Sequence, residues 1–330
     1  MTVDPIFRPS WWLRSPHLQT ILGSSDFRKK RVLRRRAPLD PGAEAHLLEC
    51  RDGIRLKGFL NEANGSCRGT VVLLHGWEGT EVSNYMLSCG TLLRDRGYRI
   101  FRLLFRDHGG THELNRELFH SCRLGEVIDG VEQALERFGQ GPRFVVGFSL
   151  GGNFALRVAA DAGTRIGLEQ VVAVNPVVHP PTTLIALENG PSFYERYYVE
   201  KWRRSLRRKS ELFPDLFPFD EIAPMTSLNE MTEALVSRFG DFPSADAYFR
   251  GYSIAGDRLA ALDVPARIIT SRDDPVIPVG DFAPLGEHPR IDLDIQDRGG
   301  HVAFLQNGAM ESWIDPRIAS ILDDVAVAPR

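Results

Sequence analysis

The chain has 330 residues, of which 43% are hydrophobic and 25% charged. That length suits two domains or one large α/β domain with an insertion, and the composition excludes a disordered chain, a collagen and a coiled coil. Lysine and arginine number 40 against 43 acidic residues, a net charge of −3, which excludes a whole-molecule polyanion binder but not a local basic patch.

Residues 1–44 read as an irregular extension containing Trp11-Trp12, Pro16–Thr20 and a basic run from Arg28 to Arg36. Met1–Ser10 has an acid and two prolines where a signal peptide needs an apolar run. No stretch approaches the ~20 apolar residues of a spanning helix. Val325–Arg330 carries no lipidation motif. Cys50, Cys67, Cys89 and Cys122 have neither CxxC spacing nor the density of a disulfide scaffold. They fit small apolar fillers in a reducing compartment, so the cytoplasm is expected.

Strands are predicted at His46–Cys50 and Ile54–Phe59, joined through Asp52-Gly53. Thr70–Leu74 is a continuous apolar run, as expected of a strand covered on both faces. It runs into the Gly-rich turn His75–Thr80 and a helix near 82–96. Arg99–Phe105 is a second such strand, followed by a helix near 122–138. Phe144–Val146 runs into Gly147–Gly152 and a helix over Asn153–Ala162, and Val171–Val174 is the next strand. From 182 to 262 the strand signal vanishes in favour of an aromatic, basic, helical stretch. Strands resume at Ala266–Thr270 and Ile291–Ile295, and a last helix covers about Glu311–Leu322.

Strands alternating with helices describe a mostly parallel sheet with helices on both faces. The expected organisation is an extension over 1–44, a core over 45–181 and 263–330, and an inserted helical cap over 182–262. Functional groups in such sheets gather at the carboxyl ends of the strands.

Gly147-Phe148-Ser149-Leu150-Gly151 sits between an apolar strand and an amphipathic helix. That context suits a serine on a sharp turn, where Cβ atoms at 147 and 151 would clash and the helix N-terminus offers free N–H groups to an oxyanion. A serine hydroxyl needs a base, and the base an orienting acid, here in the order Ser, Asp, His. Ser271-Arg-Asp273-Asp274-Pro follows one strand, and Asp297-Arg-Gly-Gly-His301 follows the next.

On these residues the chain resembles the α/β-hydrolase superfamily over most of its length. His75-Gly76-Trp77 is similar to that superfamily's oxyanion loop, and Ser271–Pro278 to its acid turn, with Ser271 in the usual glycine place. The register selects Asp274 as the acid, and the departure at Ser271 keeps Asp273 as the alternative. His75–Thr80, Trp12 with His17–Thr20, and Gly299–Phe304 resemble the YheT-like branch, which includes bacterial esterases, fungal medium-chain ester synthase/esterases and mammalian membrane-anchored lipases. The resemblance implies an α/β-hydrolase fold and a serine esterase for short- to medium-chain acyl esters. Ser149, His301 and Asp274 would be its triad, Trp77 and Leu150 its oxyanion donors, and it would need no cofactor or metal. Acyl transfer to an alcohol on the same triad, and a non-catalytic interaction protein on the same fold, are the alternatives.

His112-Glu-Leu-Asn-Arg116 fails the HExxH zinc pattern at Arg116, and Gly109-Gly110 between His108 and His112 argues for a loop. His75 and His108 are expected to support loop geometry rather than act as the base. The basic runs 28–36 and 203–209 read as solvated faces, with no nucleic acid expected as a partner. The run at 203–209 lies beside Trp202 and Tyr198 and adds the expectation of a weak membrane-surface contact through the cap.

Overall fold

The computed structural model describes residues 5–35, 39, 42–239 and 242–326. Residues 1–4 and 327–330, on which the reading of the termini draws, and Arg36 of the basic run lie outside them.

Among the described residues eight strands form one sheet in the order β1-β2-β4-β3-β5-β6-β7-β8. They are β1 (Glu44–Glu49), β2 (Arg55–Asn61), β3 (Gly69–Leu74), β4 (Tyr98–Leu104), β5 (Arg143–Phe148), β6 (Leu168–Val174), β7 (Ala266–Ser271) and β8 (Ile291–Gln296). β2 pairs antiparallel with β1 and β4, and β3 to β8 are parallel. The central strands read as unbroken apolar runs because both faces are covered. Val72 and Leu74 point to one side, among residues of α4 (Leu124–Phe138) and α5 (Leu150–Ala162). Val71 and Leu73 point to the other, among residues of α3 (Asn84–Asp95) and α11 (Ile314–Ala326). This is the α/β-hydrolase architecture expected from the sequence.

The expectation of an irregular extension over residues 1–44 is corrected. Among its described residues, α1 (Pro16–Gly23) and α2 (Asp26–Arg35) are helical. α1 has clear physical signals: the Ser15 hydroxyl caps the Leu18 N–H, and proline opens the helix. α2 carries so many cations that no apolar period is visible in the sequence. The solvated reading of the first basic run also fails at Arg28. Its buried guanidinium donates to the Gly23 carbonyl at 3.0 Å and to Ser88 Oγ at 3.2 Å.

Between β6 and β7 the described residues contain no strand. The helices there are α6 (Pro180–Asn189), α7 (Ser192–Leu212), α8 (Phe219–Ile222), α9 (Leu228–Phe239) and α10 (Ala245–Tyr252). The second basic run lies on α7 and is largely spoken for. Arg203 and Arg204 pair with Glu200, Arg208 pairs with Glu211, and Lys209 is buried. Among the described residues no helix is long and apolar enough to cross a membrane.

Candidate active site

Ser149 occupies the single-residue turn between β5 and α5 with φ 54° and ψ −120°. A side chain rarely adopts that conformation, so the surrounding backbone must hold it. The Ser149 N–H donates to the Val174 carbonyl at 2.9 Å. Gly147 and Gly151 make the turn possible. A Cβ on Gly147 would stand 2.1 Å from the Gly151 carbonyl oxygen, and one on Gly151 would stand 2.3 Å from that of Leu74. Leu150 is the first residue of α5, so its N–H has no acceptor within the helix.

His301 lies on the loop after β8, and Asp274 on the loop after β7. His301 Nδ1 is 2.9 Å from Asp274 Oδ2, and Nε2 is 2.9 Å from Ser149 Oγ. An ionised carboxylate only accepts, so Nδ1 carries the proton and Nε2 is left to accept from the serine hydroxyl. Asp274 Oδ1 accepts from the backbone N–H groups of Val276 and Ile277 at 2.8 and 3.1 Å. The neighbouring Asp273 turns elsewhere: its Oδ1 accepts from the Gly300 N–H at 3.0 Å, and burial raises its carboxyl above the ordinary value.

His75–Thr80 follows β3 and passes beside the serine. A Cβ on Gly76 would lie 3.2 Å from Ser149 Cβ. The loop is fixed by imidazoles used at both nitrogens. His75 Nδ1 donates to the Gly76 carbonyl at 2.8 Å and Nε2 accepts from Phe105 N–H at 3.2 Å. His108 Nδ1 donates to the Arg106 carbonyl at 2.7 Å and Nε2 accepts from Glu78 N–H at 3.1 Å. Burial pushes His75 down to about 4 and His108 well below its ordinary value, so both are neutral at pH 7. The ring of Trp77 stacks on Tyr198 at 5.4 Å and meets Trp202 edge-on at 5.2 Å. The loop after β3 is thereby packed against α7.

A cavity of about 230 Å³ opens at Ser149, Leu150 and Trp77 and extends beneath the helices that follow β6. Leu184, Leu187, Leu206, Leu228, Leu235 and Val236 supply much of its apolar wall. Glu78 also borders it, with its carboxyl pushed up to about 7 by burial, against the lowering influence of Lys201. α7 is tied to the loop after β4 by a buried ion pair. Lys209 Nζ lies 2.7 Å from Asp107 Oδ1 and also donates to the carbonyls of His112 and Asn115 at 3.1 and 2.5 Å. Burial lowers the Lys209 ammonium from its ordinary value, opposed by Asp107.

Three contributors were not recognised from the sequence. Thr20 Oγ1 on α1 accepts from the His301 N–H at 2.9 Å. Gln19 clamps Leu305, donating to its carbonyl at 3.0 Å and accepting from its N–H at 2.7 Å. Asn175, at the end of β6, donates to Asp274 Oδ2 at 2.7 Å. Its place at a strand's carboxyl end was the available signal; for Thr20 and Gln19 there was only the resemblance of the surrounding motif. Among the described residues no group of three or more His, Cys, Asp or Glu side chains is placed to hold a metal ion. His112 Nε2 lies 2.9 Å from Ser205 Oγ.

Residues 71–312 match the model of the alpha/beta hydrolase family. The chain is 25% identical to "Putative esterase YheT" of Escherichia coli K12, over 94% of this chain and 91% of that protein. It is 22% identical to "Phospholipase ABHD3" of Homo sapiens, over 84% of this chain and 69% of that protein. The fold is similar to that of the esterase Pf2001 of Pyrococcus furiosus, with a TM-score of 0.59 and 19% identity over 86% of this chain and 91% of that one.

Proposed function

The chain belongs to the alpha/beta hydrolase family, and on that premise we propose that it cleaves carboxylic esters of short to medium acyl chains through an acyl-enzyme on Ser149. His301 Nε2 takes the hydroxyl proton as Ser149 Oγ attacks the ester carbonyl. Asp274 keeps the imidazole in the productive tautomer and stabilises the imidazolium. The N–H groups of Trp77 and Leu150 receive the oxyanion, where one such donor is worth ~2.7–4 kcal/mol in comparable sites. The imidazolium then protonates the leaving alkoxide. Water, deprotonated by His301, attacks the acyl-enzyme and releases the acid, restoring the free serine.

The observation that carries this reading is the pair of 2.9 Å contacts linking Ser149, His301 and Asp274 at one edge of the sheet. The names of the similar proteins, esterases and a phospholipase, support ester substrates. The apolar wall beneath the cap suits an acyl chain. The four unpaired cysteines fit a reducing compartment such as the cytoplasm. A panel of p-nitrophenyl esters from acetate to laurate, run with and without ethanol, tests the proposal. Hydrolysis by the wild type that Ser149→Ala abolishes supports it, and undiminished hydrolysis by Ser149→Ala overturns it. Ethyl esters as the main product would move the assignment to acyl transfer.

A further inference from the structure

We propose that Asn175 is a positioning residue that locks the acid turn to the histidine loop and competes with His301 for the charge on Asp274. The inference rests on the reading of Ser149, His301 and Asp274 as the reacting line. Asn175 is wholly buried and follows β6, the strand between those that deliver Ser149 and Asp274. Its Nδ2 lies 2.7 Å from Asp274 Oδ2, the same oxygen that accepts from His301 Nδ1 at 2.9 Å. Its Oδ1 accepts from the Val302 N–H at 3.2 Å, which fixes the amide with Nδ2 toward the carboxylate. One planar group therefore touches the acid and the residue next to the base.

The backbone shows why the tie matters. Asn175 has φ 44° and Val302 has φ 61°. Asparagine tolerates the left-handed region, but a β-branched valine does so only when its surroundings impose it. The Asn175–Val302 bond acts directly on that residue, one position past His301. Asn175 also donates to Thr270 Oγ1 at 3.3 Å, and its own N–H donates to the Ile269 carbonyl at 2.8 Å.

An N–H bond to a carboxylate disperses its charge and weakens its pull on a neighbouring cation. Removing the Asn175 donor concentrates charge on Oδ2, strengthens the hold on the imidazolium and moves the acid limb of the pH–rate profile upward. Asp273 on the same loop and Tyr194 and Tyr198 on α7 also feel Asp274, and the substitution leaves them in place.

The test uses Asn175→Gly, which accepts φ 44° without strain and removes the donor to Asp274, and Asn175→Asp, which keeps an acceptor for Val302 but sets a second carboxyl against Asp274 Oδ2, the two acids sharing one proton. Profiles of kcat/KM against pH on p-nitrophenyl butyrate are compared with thermal midpoints and with the low-field proton resonance of His301 Nδ1–H, recorded without substrate. Both variants are expected to lose roughly 10- to 100-fold in kcat/KM. The acid limb should rise by about half to one pH unit in Asn175→Gly and by less in Asn175→Asp, where the shared proton still donates to Asp274, and the low-field resonance should shift in both. Lowered melting with an unmoved acid limb and an unmoved resonance would overturn the proposal. If Ser149→Ala stays active while the resonance still moves, the ester reading fails and the positioning role stands.

Discussion

Asp273 and Asp274 are adjacent in the chain but serve different parts of one loop. Asp274 meets the side chain of His301 at 2.9 Å, whereas Asp273 meets the backbone N–H of Gly300 at 3.0 Å. The turn in Ser271–Pro278 sends one carboxylate to the imidazole and the other to the peptide that carries it.

Their substitutions should therefore differ in kind. Asp274→Asn is expected to lower kcat by ~10⁴, the loss that follows when a triad imidazole is left in the wrong tautomer. Asp273→Asn keeps an oxygen for the Gly300 N–H and should cost about 10-fold or less on the same steady-state assay. The reverse ranking would move the acid to Asp273.

Lys209 and Asp107 join α7 to the loop after β4 inside the protein. Lys209→Met leaves the Asp107 carboxylate buried without its cation, and should lower unfolding stability by ~3–5 kcal/mol. Adding Asp107→Asn removes the stranded charge and should restore a large part of that loss. Urea denaturation of the wild type and the two variants measures it, and a Lys209→Met loss below about 1 kcal/mol would contradict the reading.

His120 borders the cavity with a buried Nδ1 that has no hydrogen-bond partner among the described residues, its ring against Phe242 and Tyr248. Burial, with help from Arg123 and Arg106, pushes its imidazole down to about 3. Between the unfolded value of ~6.5 and that lowered value the unfolded chain binds the extra proton. The stability contribution is therefore full above pH ~6.5 and is lost as pH falls, at ~1.4 kcal/mol per pH unit. His75, held down to about 4, acts in the same direction. His120→Phe should flatten the decline of stability between pH 6.5 and 4.5 in denaturant titrations. A slope equal to that of the wild type would exclude His120 as a contributor.

The sheet and the serine turn were legible because their signals are local. Thr70–Leu74 reads as a buried parallel strand, and Gly147 and Gly151 flank a serine whose neighbours leave no room for Cβ atoms. Strand ends placed Ser149, the turn with Asp273 and Asp274, and the loop with His301, and the resemblance to the superfamily's acid turn selected Asp274. What could not be read were partnerships between distant segments. Thr20 reaches the His301 backbone across 281 positions, and Asn175 reaches Asp274 across 99. Arg28 and Lys209 sit in runs whose charge suggested solvent, yet both are buried, because their partners come from other elements. Hydrogen bonding of that kind leaves no periodicity to detect.

The central claim is that Ser149 is a nucleophile activated by His301, and covalent capture tests it most directly. Wild-type protein incubated with an alkyl fluorophosphonate should gain the mass of one phosphonyl group. Peptide mapping should place the adduct on Ser149, and His301→Ala should slow labelling by orders of magnitude. An adduct on another residue, or a wild-type protein that takes up no label while an unrelated serine esterase in the same tube is modified, would contradict the account.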